Sequence, residues 1–578
     1  MKTAMAAVVL DRPLIKPPAR PIVVFSVLAF VLALRVMHLS SSLQSPLSYQ
    51  PGPDEDYYLR FGEAVAGGHG ASSPEFTFMD PGYGYLLGSI FKLLGVNPFA
   101  VYLLQVLLDT ATAFGVLTIG RMLGRPRAGL YGALLYGITS TAIMFCATLL
   151  KETCVAAYLT WWAVAALALY RSERPWAWLA FGAYCGVGVA LRSTLFLLAG
   201  FGLLLPALQS GIQRTDWLRK AAFLLTGLVL SLMPWSARNF YADGSLSPLP
   251  HNGGIVLHQV YNPDNPESGI WIPPFVSYSQ PSEIWRGYAA EAERRAARPL
   301  SSVQVDRYWR SEALAFMSAH PTEVIEHVVR KSLKFLADTE VPNNRSSAEE
   351  QLFSPVLRVL PRPNAWLLAL GLAGLAWLAT QDRRWLIIAA PIALAWLTVA
   401  AFWAEDRFRF HAAPLLAFSS GICIDGVMRG TRDWRRSPLP ACVVLALLVG
   451  ATSVYLGRQY PPPVARWDHV VWGYIKMGKP QEAQALAERV ALEQPDNGPI
   501  FEALGYLAAV SGHYDEAVRR YQRAVDLRPA SYLAHYNLAK ALLALGRRDG
   551  AAAEARIALN LNPSPDTQAL LRQAESAP

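Results

Sequence analysis

Three consecutive carboxylates, Asp54, Glu55 and Asp56, follow the first membrane-length apolar segment of the chain. Carboxylates just outside a bilayer cost little to ionise, yet they can reach a substrate whose tail lies in lipid. One of them can remove a proton from an attacking hydroxyl. The same cluster also suits an acidic first turn that favours the helix dipole, and Asp56 fits that structural role best. Both interpretations stay open.

Other ionisable residues stand at the ends of later apolar segments, where charges are functional candidates. Asp80 immediately precedes Pro81, and Lys151-Glu152 fills a short connection between two apolar segments. The Lys–Glu pair is equally consistent with a neutralised structural bridge. No cofactor is required by these patterns, but Asp54, Asp80 and Glu152 could together gather a divalent cation, so a metal stays open.

Two groups of arginines are candidates for holding a phosphate. Arg238-Asn239 ends the motif Pro234-Trp-Ser-Ala-Arg-Asn239, and Arg407 and Arg409 alternate with phenylalanines. A guanidinium binds phosphate through two parallel hydrogen bonds. The structural alternatives are a snorkelling arginine at position 238 and an aromatic belt with anchoring charges around 407–409.

The composition excludes an ordinary soluble protein. Hydrophobic residues make up 53% of the 578 residues and charged residues only 16%, well below the usual quarter. The net charge of +9 is spread between apolar segments, which is typical of membrane topology and argues against nucleic acid as a partner. The five cysteines lie in or beside apolar segments, so no disulfide framework or zinc site is predicted.

The apolar segments predict an all-α polytopic membrane bundle of about eleven transmembrane helices. The first is expected to be an anchor, not a removed signal peptide. The predicted spans are roughly 21–40, 98–120, 128–149, 154–170, 175–191, 194–209, 219–235, 364–380, 385–403, 411–428 and 438–456.

The orientation depends on residues 81–95, a segment too short for a span and better suited to an interfacial helix. If this segment does not cross, the basic short loops and the N-terminus with Lys2, Arg12, Lys16 and Arg20 face the cytoplasm. The outer face then carries loop 41–97, loop 236–363 and everything beyond about 457. In the second loop, helices are expected near 305–318 and 322–337, with Lys331 and Lys334 solvated or in contact with headgroups.

The C-terminal region changes abruptly to a soluble, alanine-rich composition with a period of 34 residues. This period and the residue types are those of about three tetratricopeptide repeats, which bind partners more often than they serve as passive caps. The recurring residues are Pro495, Pro529 and Pro563, then Gly478, Gly512 and Gly546, and finally Ala483, Ala517 and Ala551.

The order of these motifs resembles bacterial polytopic glycosyltransferases of the C-type superfamily. The most similar are family 39-like enzymes, related to protein O-mannosyltransferases and lipid A aminoarabinose transferases. The resemblance covers roughly residues 20–430 and rests on the acidic loop, Asp80-Pro81, Pro234–Asn239, His251-Asn-Gly-Gly254 and Arg407-Phe-Arg409.

The resemblance implies transfer of a sugar from a polyprenyl-phosphate donor to an acceptor hydroxyl on the outer face of a bacterial inner membrane. Asp54 takes the position of the general base, and substrate binding falls to a wider set. Asp80 departs from the usual Asp-Pro-Pro form, and Asp56 could share or replace the role of Asp54. The implied substrate-binding residues are Glu55, Asp56, Asp80, Lys151, Glu152, Arg238, Asn239, Arg407 and Arg409.

The sequence therefore predicts a transmembrane glycosyltransferase domain over 1–456 and an extracytoplasmic repeat domain over 457–578 that recruits a protein or glycan acceptor. Two alternatives remain. A transporter or flippase of lipid-linked precursors would need charges deep within the spans and an inverted repeat, and the notable charges lie instead at the outer ends of the spans. A non-catalytic scaffold displaying the repeats would leave the ordered acids and arginines without a purpose.

Overall fold

A computed structural model describes residues 21–70, 74–209, 212–267, 269–276, 281–360, 364–429, 438–461 and 464–576. All regular elements in these ranges are helical, which confirms the all-α prediction. The four basic residues predicted to hold the N-terminus in the cytoplasm, and most of the predicted loop 429–436, lie outside the described residues.

The chain divides into two compact units. One comprises Met1–Ser40 with Pro53–Pro463, and the other joins Ser41–Gly52 to Val464–Pro578. The repeats therefore share a unit with residues that follow the first apolar helix.

Many helices before the repeats begin at a proline, whose fixed φ and missing N–H suit the first helical position. Their bounds are α1 Pro21–Leu43, α2 Pro53–Ala66, α3 Pro81–Leu94, α4 Pro98–Met122, α5 Pro126–Gly137, α6 Ser140–Phe145, α7 Glu152–Leu169, α8 Pro175–Leu191, α9 Phe196–Leu204, α10 Arg214–Asp243, α11 Gly253–Val260, α12 Pro281–Ala296, α13 Ser302–Ala319, α14 Pro321–Leu336, α15 Ser347–Phe353, α16 Pro355–Val359, α17 Asn364–Ala379, α18 Trp385–Ala401, α19 Asp406–Phe410, α20 Ala413–Met428 and α21 Leu439–Gly457.

Five helices in the described ranges are long and apolar enough to cross a membrane: α1, α4, α7, α10 and α21. Helices α8, α17, α18 and α20 are apolar but have only 16 or 17 residues, whereas a span needs about 20. The figure of eleven spans stays a prediction. Helix α3 has 14 residues, which agrees with the short helix predicted there.

The segment predicted as one span over 128–149 is divided into α5 and α6, and a buried charge pair holds the break. Arg35 of α1 pairs with Asp109 of α4 at 2.7 Å, and it also donates to the carbonyls of Tyr136 and Gly137 at the end of α5. The expectation that notable charges lie only at the outer ends was therefore wrong. Because this pair satisfies the carbonyls that a broken helix frees, its role is structural.

The C-terminal unit stacks three helix pairs and a final helix, which confirms the predicted repeats. The glycines spaced by 34 residues end the first helix of each pair with φ of +70° to +80°, a conformation that glycine adopts without strain. The helices are α22 Trp467–Lys476, α23 Pro480–Glu493, α24 Gly498–Val510, α25 Tyr514–Leu527, α26 Tyr532–Ala544, α27 Arg548–Leu561 and α28 Pro565–Glu575.

A short 3₁₀ turn, Pro46–Tyr49, packs on α22. The contact is close: a Cβ atom on Gly473 would lie 2.6 Å from the carbonyl carbon of Pro46. In a solenoid each repeat is covered by its neighbour. The turn therefore covers the first repeat where a preceding repeat would otherwise pack.

Candidate active site

Helix α2 sends its three first-turn carboxylates in three directions, because successive helical residues point about 100° apart. Asp54 accepts two bonds on its Oδ2 atom, from Arg407 Nη1 at 2.5 Å and from Asn344 Nδ2 at 2.9 Å. Its Oδ1 atom accepts no hydrogen bond among the described residues. The side chain is 15% exposed. One oxygen is thus fixed and the other is available.

Glu55 and Asp56 have different surroundings. Glu55 is buried, and it accepts two bonds from Arg345, at 2.9 and 3.1 Å, and one from the backbone N–H of Leu149 at 3.1 Å. Asp56 is 31% exposed and pairs with Arg60 one turn later at 3.1 Å. These contacts support a structural role for both acids, and their predicted substrate contacts stay predictions.

Arg407 lies between three carboxylates. Besides Asp54, its Nε donates to Glu405 at 2.5 Å, and its Nη1 lies 3.9 Å from Glu152 Oε1. Glu405 also accepts from Asn343 at 2.9 Å. Burial raises the pKa of Glu405, and the charge of Arg407 offsets part of that rise. Glu405 therefore orients the guanidinium toward Asp54.

Glu152 extends the same network. Its Oε2 lies 3.1 Å from His411 Nε2 and 3.6 Å from Arg192 Nη1. We call the connected group of Asp54, Glu152, Arg192, Glu405, Arg407 and His411 the charge cluster.

Asp80 and Lys151 form a neighbouring buried ion pair, and Asp80 also accepts from the backbone N–H of Ser193 at 2.9 Å. Asp54 and Glu152 face other cations, so the three predicted acids do not converge. Nowhere in the described ranges do three His, Cys, Asp or Glu side chains lie together as ligands for a metal ion.

Arg238 and Asn239 lie in a different cluster. Arg238 donates to the carbonyl of Phe76 at 2.5 Å and to Asn239 at 2.7 Å, and Asn239 donates to the carbonyl of Ser247 at 2.7 Å. The pair thus fastens the end of α10 to the segments that contain Phe76 and Ser247. Its predicted phosphate contact stays a prediction.

Two further cations bind helix ends. Arg409 is buried and donates to Asp406 and to the carbonyl of Ala337 at 2.9 Å, next to the end of α14. Lys331 is also buried and donates to the carbonyl of Phe402 at 2.9 Å, next to the end of α18. The expectation that Lys331 is solvated or in contact with headgroups was wrong, and burial lowers its pKa to about 7.

An apolar cavity of about 790 Å³ lies among α3, α4, α7, α8 and α10. Its wall includes Gly82, Cys154 and Leu191, each within two residues of Asp80, Glu152 or Arg192. The cavity therefore adjoins the charge cluster and the Asp80–Lys151 pair.

Part of this region is similar to a known protein family. Residues 74–238 match the sequence model described as dolichyl-phosphate-mannose-protein mannosyltransferase, and residues 509–546 match that of the TPR repeat. The predicted resemblance to C-type glycosyltransferases with C-terminal repeats is thereby confirmed. No curated protein matches the chain.

Similar solved structures are of the oligosaccharyltransferase of Archaeoglobus fulgidus. The form tethered with an acceptor peptide containing the NVT sequon is 14% identical, with a TM-score of 0.41, and the alignment covers 78% of this chain and 57% of that one. The form in complex with an inhibitory peptide and a dolichol-phosphate is 15% identical, with a TM-score of 0.42 and the same coverage. This chain thus spans little more than half the length of that enzyme.

Four residues of the site were missed as site candidates. Arg192, Glu405 and His411 stand at the ends of apolar segments, the same signal that singled out Glu152. Asn344, in the long loop 236–363, carries no comparable signal in the sequence. It joins the site because the fold brings it within hydrogen-bond distance of Asp54.

Proposed function

We propose that this protein transfers a sugar from a polyprenyl-phosphate donor to the hydroxyl of an acceptor on the outer face of a membrane. The observation that carries the proposal is the apolar cavity beside the charge cluster. An amphiphile with an isoprenoid tail and an anionic head suits both parts. The family match, which covers Asp80, Lys151, Glu152 and Arg192, supports the same class of donor.

Asp54 acts as the general base in this proposal. Its Oδ1 atom takes the proton of the acceptor hydroxyl, and the hydroxyl oxygen bonds to the anomeric carbon of the sugar. The bond between that carbon and the phosphate oxygen breaks, and the lipid leaves as its phosphate. The leaving group needs no proton, only cations to hold its growing charge. A single displacement of this kind inverts the anomeric carbon.

Arg407 serves the same step by orienting Asp54. Its guanidinium and the amide of Asn344 both donate to Oδ2, which leaves Oδ1 available to take the proton. Glu152, Asp80 and Lys151 stay proposed donor contacts. Asp80 and Glu152 are each two residues from a residue of the cavity wall, Gly82 or Cys154, and Lys151 pairs with Asp80.

The repeats are proposed to lie on the same side of the membrane as Asp54. The support is the packing of Pro46–Tyr49 on α22, because residues 46–49 precede Asp54 by only a few positions and no span intervenes. The two regions share a side of the membrane whatever the number of spans. We further propose that the repeat domain, over about 457–578, recruits the protein or glycan acceptor in a bacterial inner membrane.

The test uses the full chain in lipid nanodiscs with polyprenyl phosphate carrying a radiolabelled sugar. Membrane proteins and glycans from the native envelope serve as acceptors. We expect label in the acceptor and unlabelled polyprenyl phosphate in equal amounts. A transporter would leave the donor intact, so an unchanged donor after many hours would reject the proposal.

A further inference from the structure

The two hydrogen-bond partners of Asp54 come from two segments that are bonded to each other. Asn344 lies in the connection between α14 and α15, and Arg407 lies in α19, which follows α18. The backbone N–H of Asp406 donates to the carbonyl of Val341 at 3.1 Å, and the backbone N–H of Val341 donates to Asp406 Oδ1 at 3.3 Å. A movement of either segment therefore changes the surroundings of Asp54.

Buried cations tie together the two helices that precede these segments. Arg409 of α19 donates to the carbonyl of Ala337, next to the end of α14, at 2.9 Å. In the other direction, Lys331 of α14 donates to the carbonyl of Phe402, next to the end of α18, at 2.9 Å and lies 3.4 Å from that of Ala401. The last carbonyls of a helix lack intrahelical partners, and a cation suits the negative end of the helix dipole. The two ties thus fix where both segments begin.

Lys331 lacks the compensating charge that Arg409 has. Arg409 pairs with Asp406, whereas the polar contacts of Lys331 within the described ranges are all neutral oxygens. The third of these oxygens is the hydroxyl of Tyr261 at 3.1 Å, and only 1% of Lys331 is exposed. Burial of an ammonium among neutral oxygens costs free energy that a well-packed apolar side chain would not cost. The position therefore favours a functional role for the ammonium over a contribution to stability.

We propose that Lys331 is a positioning residue, which holds the end of α18 so that Arg407 reaches Oδ2 of Asp54 and leaves Oδ1 open to the acceptor hydroxyl. Four residues separate Phe402 from Arg407, and Glu405 among them bonds the same guanidinium. A shift at the end of α18 is thereby passed on to that guanidinium. The assignment rests on the proposed function, because it concerns the base of that reaction.

The test measures single-turnover transfer by the full chain in lipid nanodiscs, with Lys331→Met placed in two backgrounds, wild type and Asp54→Asn. A misplacement of about 1 Å can slow a reaction by about 10²-fold, so we expect Lys331→Met to slow transfer about 10- to 100-fold in the wild-type background. In the Asp54→Asn background the same change should have little further effect, because the base that Lys331 helps to position is already absent.

Two further variants accompany this comparison. Arg330→Met is the matched control, since it removes an adjacent, exposed cation of α14 and should retain the wild-type rate. Lys331→Gln keeps a hydrogen-bond donor and loses only the charge, so we expect it to slow transfer less than Lys331→Met, again only when Asp54 is present. If Lys331→Met does not fold, Lys331→Gln decides in the same two backgrounds.

The outcomes separate the two proposals. A wild-type rate in Lys331→Met would overturn this inference and leave the proposed function intact. An equal slowing in both backgrounds would also overturn it, because a merely structural role lowers the rate whether or not Asp54 is present. Failure of the wild-type chain to transfer any sugar would overturn the proposed function and this inference with it.

Discussion

Replacing Asp54 with asparagine removes the proposed base while preserving nearly the same shape. A positioned general base contributes about 10²- to 10⁴-fold to a rate, so we expect Asp54→Asn to slow transfer by that factor. The same substitution should lower the free energy of unfolding only slightly. Arg407 keeps Glu405 at 2.5 Å and Glu152 at 3.9 Å, so its charge stays compensated, and the lost bond costs about 1–2 kcal/mol.

The assay is transfer of labelled sugar in nanodiscs under single-turnover conditions, which separates the chemical step from product release. Asp56→Asn is the matched control, since it makes the same change two residues away in the same helical turn. Asp56 loses its partly exposed pair with Arg60, worth about 0.3–0.5 kcal/mol. We expect that variant to retain the wild-type rate.

Two results would refute the argument. Asp54→Asn with at least half of the wild-type rate would mean that another group takes the proton. An equal loss in Asp56→Asn would mean that the acidic turn acts as a whole, and that the fixed Oδ2 and available Oδ1 of Asp54 have no special role. A thermal midpoint within a few degrees of wild type is required in both variants.

Three further predictions concern folding. Glu55→Gln breaks a buried ion pair and should cost about 3–5 kcal/mol, seen as a lower thermal midpoint; a wild-type midpoint would contradict it. Burial raises the pKa of Glu350 to about 7, so this side chain binds a proton more tightly in the folded state than in the unfolded state. The free energy of unfolding should therefore fall as the pH rises from about 4.5 to about 7. In Glu350→Gln, the thermal midpoint should depend less on pH across that range. Gly473→Ala should cost about 1–3 kcal/mol by collision with Pro46 and expose the repeats to protease, whereas Gly550→Ala, which meets its nearest atom at 3.4 Å, should not.

The repeats show which structural features a local sequence pattern can predict. A 34-residue period with glycine at each turn and proline after each pair is set by neighbouring residues, so the sequence predicts it well. The 3₁₀ turn on α22 was not predicted, because its residues belong to a loop more than 400 positions away.

The interrupted span shows the opposite case. Hydropathy over 128–149 is continuous, and nothing in that segment reveals the break. The break depends on Arg35 reaching the carbonyls of Tyr136 and Gly137, contacts between segments about 100 residues apart. The sequence did contain one signal of this pair: Arg35 and Asp109 are charged residues inside two apolar segments.

By itself, the sequence determined a helical membrane protein with terminal repeats and an acidic turn after its first apolar helix, because composition and period act locally. Tertiary structure decided which acid is available. Asp54 meets Asn344 and Arg407 across 290 and 353 residues of chain, whereas Glu55 meets Arg345 across 290. Neighbouring residues in a helical turn point in different directions, and the residues they meet there are brought close by contacts that form only when the chain folds.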